Sequence, residues 1–327
     1  MNPQPVVVHS ALLGHMVRAD PWLSQGRSSY ACALEAIDNA DFASAEDYGR
    51  LTIQEAQEAF DLFTAWLSAI PRILSRRCAD AVDIDGLLAD IEPDRGAARL
   101  AAGWRAYVRL IGDFGRACGR RHATSAIELL ERARSTWQQH HDDACDTICA
   151  LFDLAARSLG ETFVGELWDI LLAPMYERSA RIYHPDETAW GRATERLLLD
   201  IFEATRGHLS GPERDGSFAI VEEADRWVVT FAPCGSGGRT YERAQRSAVT
   251  TARHDWTWNT VGVCLYCAHC CQLQQRAPIK RIGFPLRVID PPVQGQPDPV
   301  CTWSIYKDRT TVPDEAYTSV GFSPPVR

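Results

Sequence analysis

The chain has 327 residues, 46% of them hydrophobic and 24% charged, with a formal net charge of −9. That length and apolar content suffice for a large buried core in two domains, and the acidic balance without a basic stripe argues against nucleic-acid binding. No stretch approaches the ~20 apolar residues of a membrane span, and the first residues lack the charged segment and long apolar run of a secretory signal. These features predict a cytoplasmic protein whose eleven cysteines stay reduced and serve as ligands, nucleophiles or core residues.

Residues 1–50 form an N-terminal segment, 51–210 a helical domain and 211–327 a cysteine-rich α+β domain. Thr52, with Glu55 three residues on, can cap a helix whose apolar positions Ala56, Ala59, Phe63, Trp66, Leu67 and Ile70 recur at helical spacing until Pro71. Further helices are predicted over 84–91, 97–117, 161–183 and 188–205. Between them lies a very long helix, or two end to end, from 124 to 159, with Gly160 as its C-cap.

The composition changes at Ser210-Gly211-Pro212. From Gly211 onward lie eleven of the eighteen prolines and six of the eleven cysteines. Four short strands are predicted over 218–221, 227–231, 285–289 and 301–306, with a short helix over 264–275 between them. The expected fold class is α+β: a multi-helix domain followed by a small α+β domain with a short antiparallel sheet and a Cys/His metal site. The acidity is confined to the first part, with 21 basic and 31 acidic residues through 210 against 13 and 12 afterwards, so the second part could accept an anionic substrate.

The strongest chemical signal is Val263-Cys264-Leu265-Tyr266-Cys267-Ala268-His269-Cys270-Cys271. Cysteines separated by two intervening residues can aim both sulfurs at one ion, the spacing of zinc and iron–sulfur sites. Cys264, Cys267 and one of Cys270 or Cys271, with Cys234 of the loop Ala232–Gly238 or Cys301 at the last strand, form the expected ligand set for Zn2+. An iron–sulfur cluster is the alternative cofactor, although Gln274 stands where the fourth ferredoxin-type cysteine would fall. His254 and His269 are candidate ligands or general bases, and Cys271 a candidate reactive thiolate.

In the helical part, His141 and Cys145 stand one turn apart on a face shared with Trp137, Ile148 and Phe152, which fits a core histidine or a ligand. Tyr176 and Glu177, near a helix junction, are candidate substrate contacts across an interdomain cleft. Gly235-Ser236-Gly237 lacks the Gly-x-Ser-x-Gly pattern of a nucleophile elbow.

The order of Cys264–Cys271, then Gly283-Phe284-Pro285-Leu286-Arg287-Val288, then Cys301-Thr302-Trp303-Ser304-Ile305 resembles the end of proteins of the L-2-amino-thiazoline-4-carboxylic acid hydrolase-like family. Those also close with a cysteine-bearing helix, a strand after a glycine and a final strand opening with a cysteine. The likeness covers the last third of the chain. It implies hydrolysis of a small sulfur- or nitrogen-containing ring or related amide near the cysteines.

The sequence thus leads to a zinc-dependent enzyme for a small metabolite in bacterial specialised metabolism, in which metal-bound water attacks a C=N or C=O bond. A non-catalytic sensor with a structural zinc and an iron–sulfur redox protein are the alternatives. The expected partner is a small molecule, with neither nucleic acid nor membrane, and a homodimer is among the expected assemblies.

Overall fold

The computed structural model describes residues 5–78, 83–241, 248–296 and 300–326. The N-terminal segment is folded: β1 (Val7–Ser10) and β2 (His15–Arg18) form an antiparallel hairpin, followed by α1 (Ser29–Asp38). Ser28 caps α1, its hydroxyl accepting from the amides of Tyr30 and Ala31.

The helical part continues with α2 (Phe42–Cys78), α3 (Ile84–Ile91), α4 (Pro93–Gly119), α5 (Ala123–Leu159), α6 (Glu161–Ile182) and α7 (Trp190–Gly207). Two sequence expectations are corrected at α2. Thr52 lies inside the helix, where its hydroxyl donates to the Gly49 carbonyl and accepts from Tyr107, while Glu55 pairs with Arg206 instead of completing a capping box. Pro71 does not end the helix either. Leu67, Ile70 and Leu74, all buried around it, hold the helical path by packing, which outweighs the hydrogen bond that proline removes. Residues 124–159 belong to one continuous helix, with Gly160 at its C-cap.

The chain then forms β3 (Ala219–Glu222) and β4 (Arg226–Phe231), a cysteine-bearing helical stretch, β5 (Val288–Asp290), β6 (Cys301–Tyr306) and α10 (Glu315–Thr318). The sheet is antiparallel in the order β3-β4-β6-β5, with Val229 opposite Trp303 and Phe231 opposite Cys301. Along β4 the burial alternates, so Trp227, Val229 and Phe231 face one core. That core also contains Leu197, Ile201 and Phe202 of α7.

The predicted helix over 264–275 is displaced. Helical structure begins at α8 (Ala268–Cys271), passes through a π turn (Gln272–Arg276) and ends in α9 (Ala277–Ile282). Cys264 instead forms an isolated antiparallel bridge with Val249, so Cys264, Cys267 and Cys271 do not share one helical face.

Two close approaches place the site. A Cβ at position 235 would collide with the backbone carbonyl of His208, so glycine lets the loop after β4 press onto the end of α7. Trp168 of α6 donates from its indole to the Leu265 carbonyl at 2.9 Å, tying the cysteine segment to the helical layer. No described helix is long and apolar enough to cross a membrane.

Candidate active site

Between α2, α6 and α7 on one side and the sheet with α8 on the other lies a cavity of about 170 Å³. A cavity near 150 Å³ holds a benzene-sized molecule. This space therefore has room for a molecule of about that size.

His269 and Cys270, consecutive on α8, both line it. His269 Nδ1 is 2.6 Å from the Tyr266 carbonyl oxygen, and its Nε2 is 3.3 Å from Cys270 Sγ. A carbonyl only accepts, so Nδ1 carries the donated proton, and the neutral ring offers its Nε2 lone pair to the thiol. The result is a thiol beside a base whose tautomer is fixed by a third group, the arrangement of activated cysteine nucleophiles. Burial lowers the His269 imidazole to about 4, opposed by the bond to Tyr266, and raises the Cys270 thiol. Both shifts favour the neutral imidazole and the neutral thiol.

Other sulfurs surround this pair. Cys234 follows β4 and is 3.6 Å from the Ser236 hydroxyl, while Cys301 receives the Trp303 indole N–H at 3.1 Å. Cys234, Cys267, Cys270 and Cys301 border a second void of about 20 Å³, shared with His269. Deeper, Cys264 Sγ accepts from the Thr240 hydroxyl at 3.7 Å, and the neighbouring thiols of Cys149 of α5 and Cys267 pull its thiol well below the ordinary range. Cys149 is raised in turn by Cys145, Cys264 and burial, and Cys267 by Cys264 and burial. Five of the sequence-expected ligands are thus neighbours, yet among the described residues no group of three or more His, Cys, Asp or Glu side chains converges as a metal site.

Charged groups complete the wall. Arg287 is 7% exposed, its guanidinium lies over the Trp303 ring 4.9 Å from the centroid, and its Nε lacks a hydrogen-bond partner among the described residues. Burial lowers its pKa, while Tyr183, Asp200, Cys270 and Glu58 nearby favour its charge. Glu58 lines the cavity with an exposed side chain, and desolvation and then Asp200 raise its carboxyl, against Arg287 and Arg178. Asp200 accepts from the Tyr183 hydroxyl at 2.8 Å.

A hydrogen-bonded chain reaches the same cavity from α5. Asp142 Oδ1 is 2.9 Å from His141 Nδ1, and His141 Nε2 is 2.9 Å from Nδ1 of His208, which lines the cavity. Arg214 holds both Asp142 oxygens at 2.8 and 3.0 Å, and Arg239 Nε lies 3.2 Å from Oδ1.

The other expected residues fall elsewhere. His254 bonds Glu161 at 2.7 Å and stacks on Trp256, and Cys271 approaches the Asp255 carbonyl at 3.5 Å; neither lines the cavity. Tyr176 is buried and donates to Asp169, whereas Glu177 forms an exposed ion pair with Arg281. His141 is a satisfied core histidine, with both ring nitrogens bonded. Sequence reasoning missed His208 and Arg287. The available signals were a histidine at the helix end just before the Ser210-Gly211-Pro212 boundary, and an arginine inside the apolar run 284–289. Comparison of the chain with protein-family models, curated proteins and solved structures gives no significant match.

Proposed function

We propose that this protein is an enzyme that uses Cys270 as a nucleophile, with His269 as its base, on a small anionic metabolite bearing a C=O or C=N electrophile. The observation that carries this reading is the 3.3 Å Cys270–His269 contact opening onto the cavity, with the His269 tautomer fixed by Tyr266. As Cys270 Sγ bonds to the electrophilic carbon, the thiol proton passes to His269 Nε2, which later returns it to the leaving group or the sulfur. Arg287 supplies a buried positive charge beside Cys270 for the substrate anion or the negative charge that develops. Trp66 and Trp168 pack against the His269 ring and limit its movement.

The test is rapid mixing with p-nitrophenyl acetate, a small activated ester. The wild-type protein should release a burst of nitrophenolate equal to the enzyme concentration, with an acetyl group mapped to Cys270, and Cys270→Ala should lose it. A burst that survives in Cys270→Ala, or wild-type protein without one, overturns the reading.

A second reading keeps zinc as the working group. It is favoured by the four cysteines and His269 around the 20 Å³ void, a donor set suited to a soft divalent ion. Elemental analysis of protein purified anaerobically without a metal-binding tag separates the readings. Stoichiometric zinc that disappears in a Cys234→Ser, Cys267→Ser variant supports the metal, and metal-free protein that still gives the burst rejects it.

A further inference from the structure

We propose that His208 is a second acid–base residue of this cavity, acting on the water that releases the product, and that Asp142 and His141 position it. The inference rests on the cysteine reading above.

Asp142 is held by two arginines, which keep it ionised against the cost of burial. A carboxylate accepts, so His141 donates from Nδ1, and its Nε2 is left to accept from His208 Nδ1. The chain fixes His208 as the Nδ1–H tautomer, with the Nε2 lone pair on the edge of the ring opposite His141. Because His208 lines the cavity while His141 is wholly buried, that edge is the one a water or substrate can meet. Phe63 packs at 5.1 Å from the His141 ring centroid and 5.7 Å from that of His208, locking both ring planes. Gly235 lies so close to the His208 carbonyl that a Cβ there would collide with it.

The cavity thereby carries two imidazoles with their free nitrogens prepared for different steps. His269 takes the Cys270 proton as the acyl–sulfur bond forms and the leaving group departs. In the second step, water loses a proton to His208 Nε2 as its oxygen bonds the acyl carbon. The carbon–sulfur bond then breaks, and His269 returns the first proton to the thiolate. The proton on His208 leaves with the product acid or to solvent, so no further reactant is needed. Asp142 stabilises the transient positive charge through His141 without taking the proton, as expected of a carboxylate locked by two guanidiniums.

The ester assay separates the two steps. In His208→Gln the burst should stay within about twofold of wild type, while steady-state turnover falls by ~10²–10⁴-fold, the usual contribution of a general base. Added imidazole should restore turnover in His208→Ala without changing the burst, a rescue that a purely structural role would not show. Independently of activity, 15N spectra of histidine-labelled wild-type protein should show His208 as the Nδ1–H tautomer, and Asp142→Asn should disturb it. Parallel loss of burst and turnover in both His208 variants, unchanged turnover, or an Nε2–H tautomer at His208 overturns the proposal. Loss of the burst in wild type alone removes the cysteine reading, a different failure.

Discussion

Two buried arginines divide this molecule into a region that builds and a region that waits. Arg206 of α7 is 3% exposed and Arg287 7% exposed, and burial depresses the pKa of both guanidiniums. Arg206 meets Glu55 at 2.5 Å and the Gln25 carbonyl at 2.8 Å, and Glu55 also receives the Ser29 hydroxyl. These contacts join the N-terminal segment, α2 and α7 at one point. Arg287 has the face of Trp303 and neighbouring carboxylates outside ion-pair distance, and it borders the cavity. A desolvated cation is tolerated at a cost only where something offsets it. At Arg206 the protein supplies the offset, and at Arg287 the proposed ligand anion would.

The comparison can be broken most forcefully at Glu55. Replacing it by Ala leaves Arg206 charged and dry, and should lower stability by about 3–5 kcal/mol in denaturant unfolding. A loss under 1 kcal/mol would mean that the pair is not what joins the three segments.

Next in size is the pH dependence. Burial holds His269 near 4, and His208 and His141 are also lowered, so the unfolded chain binds their protons first as the pH falls. Their contribution is complete above the ordinary imidazole value of 6.5 and is lost toward pH 4. His269→Gln should flatten the stability–pH curve over that interval by up to about 1.4 kcal/mol per pH unit. An unchanged slope would show that His269 is better solvated than its surroundings indicate.

Smaller still is the His254–Glu161 pair, which is partly accessible and remote from the cavity lining. His254→Gln should cost about 1 kcal/mol or less and leave the ester burst intact. Loss of the burst would return His254 to the catalytic role its sequence setting suggests. The least costly change should be Arg287→Met, which removes an unmatched buried charge while keeping the stem's volume. Its thermal midpoint should be equal to or above that of wild type, and a fall comparable to that of Glu55→Ala would erase the distinction between the two arginines.

The helices and strands were legible because their periodicity follows burial. The 84–91 helix and the β6 strand lie where the sequence places them, and β4 alternates as its pattern requires. Pro71 and Thr52 misled because local signals were overruled by packing along a 37-residue helix. At the site, the cysteine cluster of the sequence contains His269 and Cys270, which line the cavity. Their pairing was not legible, because it depends on a carbonyl three residues earlier and on where α8 begins. Arg287 and His208 depend on which elements meet across the cavity, information that neither residue's neighbours in sequence carry. The buried Cys149, one of the partners of Cys264, comes from α5 and was likewise hidden by distance along the chain.

The central claim, a reactive Cys270 served by Arg287, is met most directly by comparing iodoacetate with uncharged iodoacetamide in site-resolved mass spectrometry. Cys270 should be the first cysteine alkylated, and the ratio of iodoacetate to iodoacetamide labelling should fall about tenfold or more in Arg287→Met, in line with a charged hydrogen bond worth ~1.5–3 kcal/mol. Labelling that begins at another cysteine, or a ratio that Arg287→Met leaves unchanged, would contradict it.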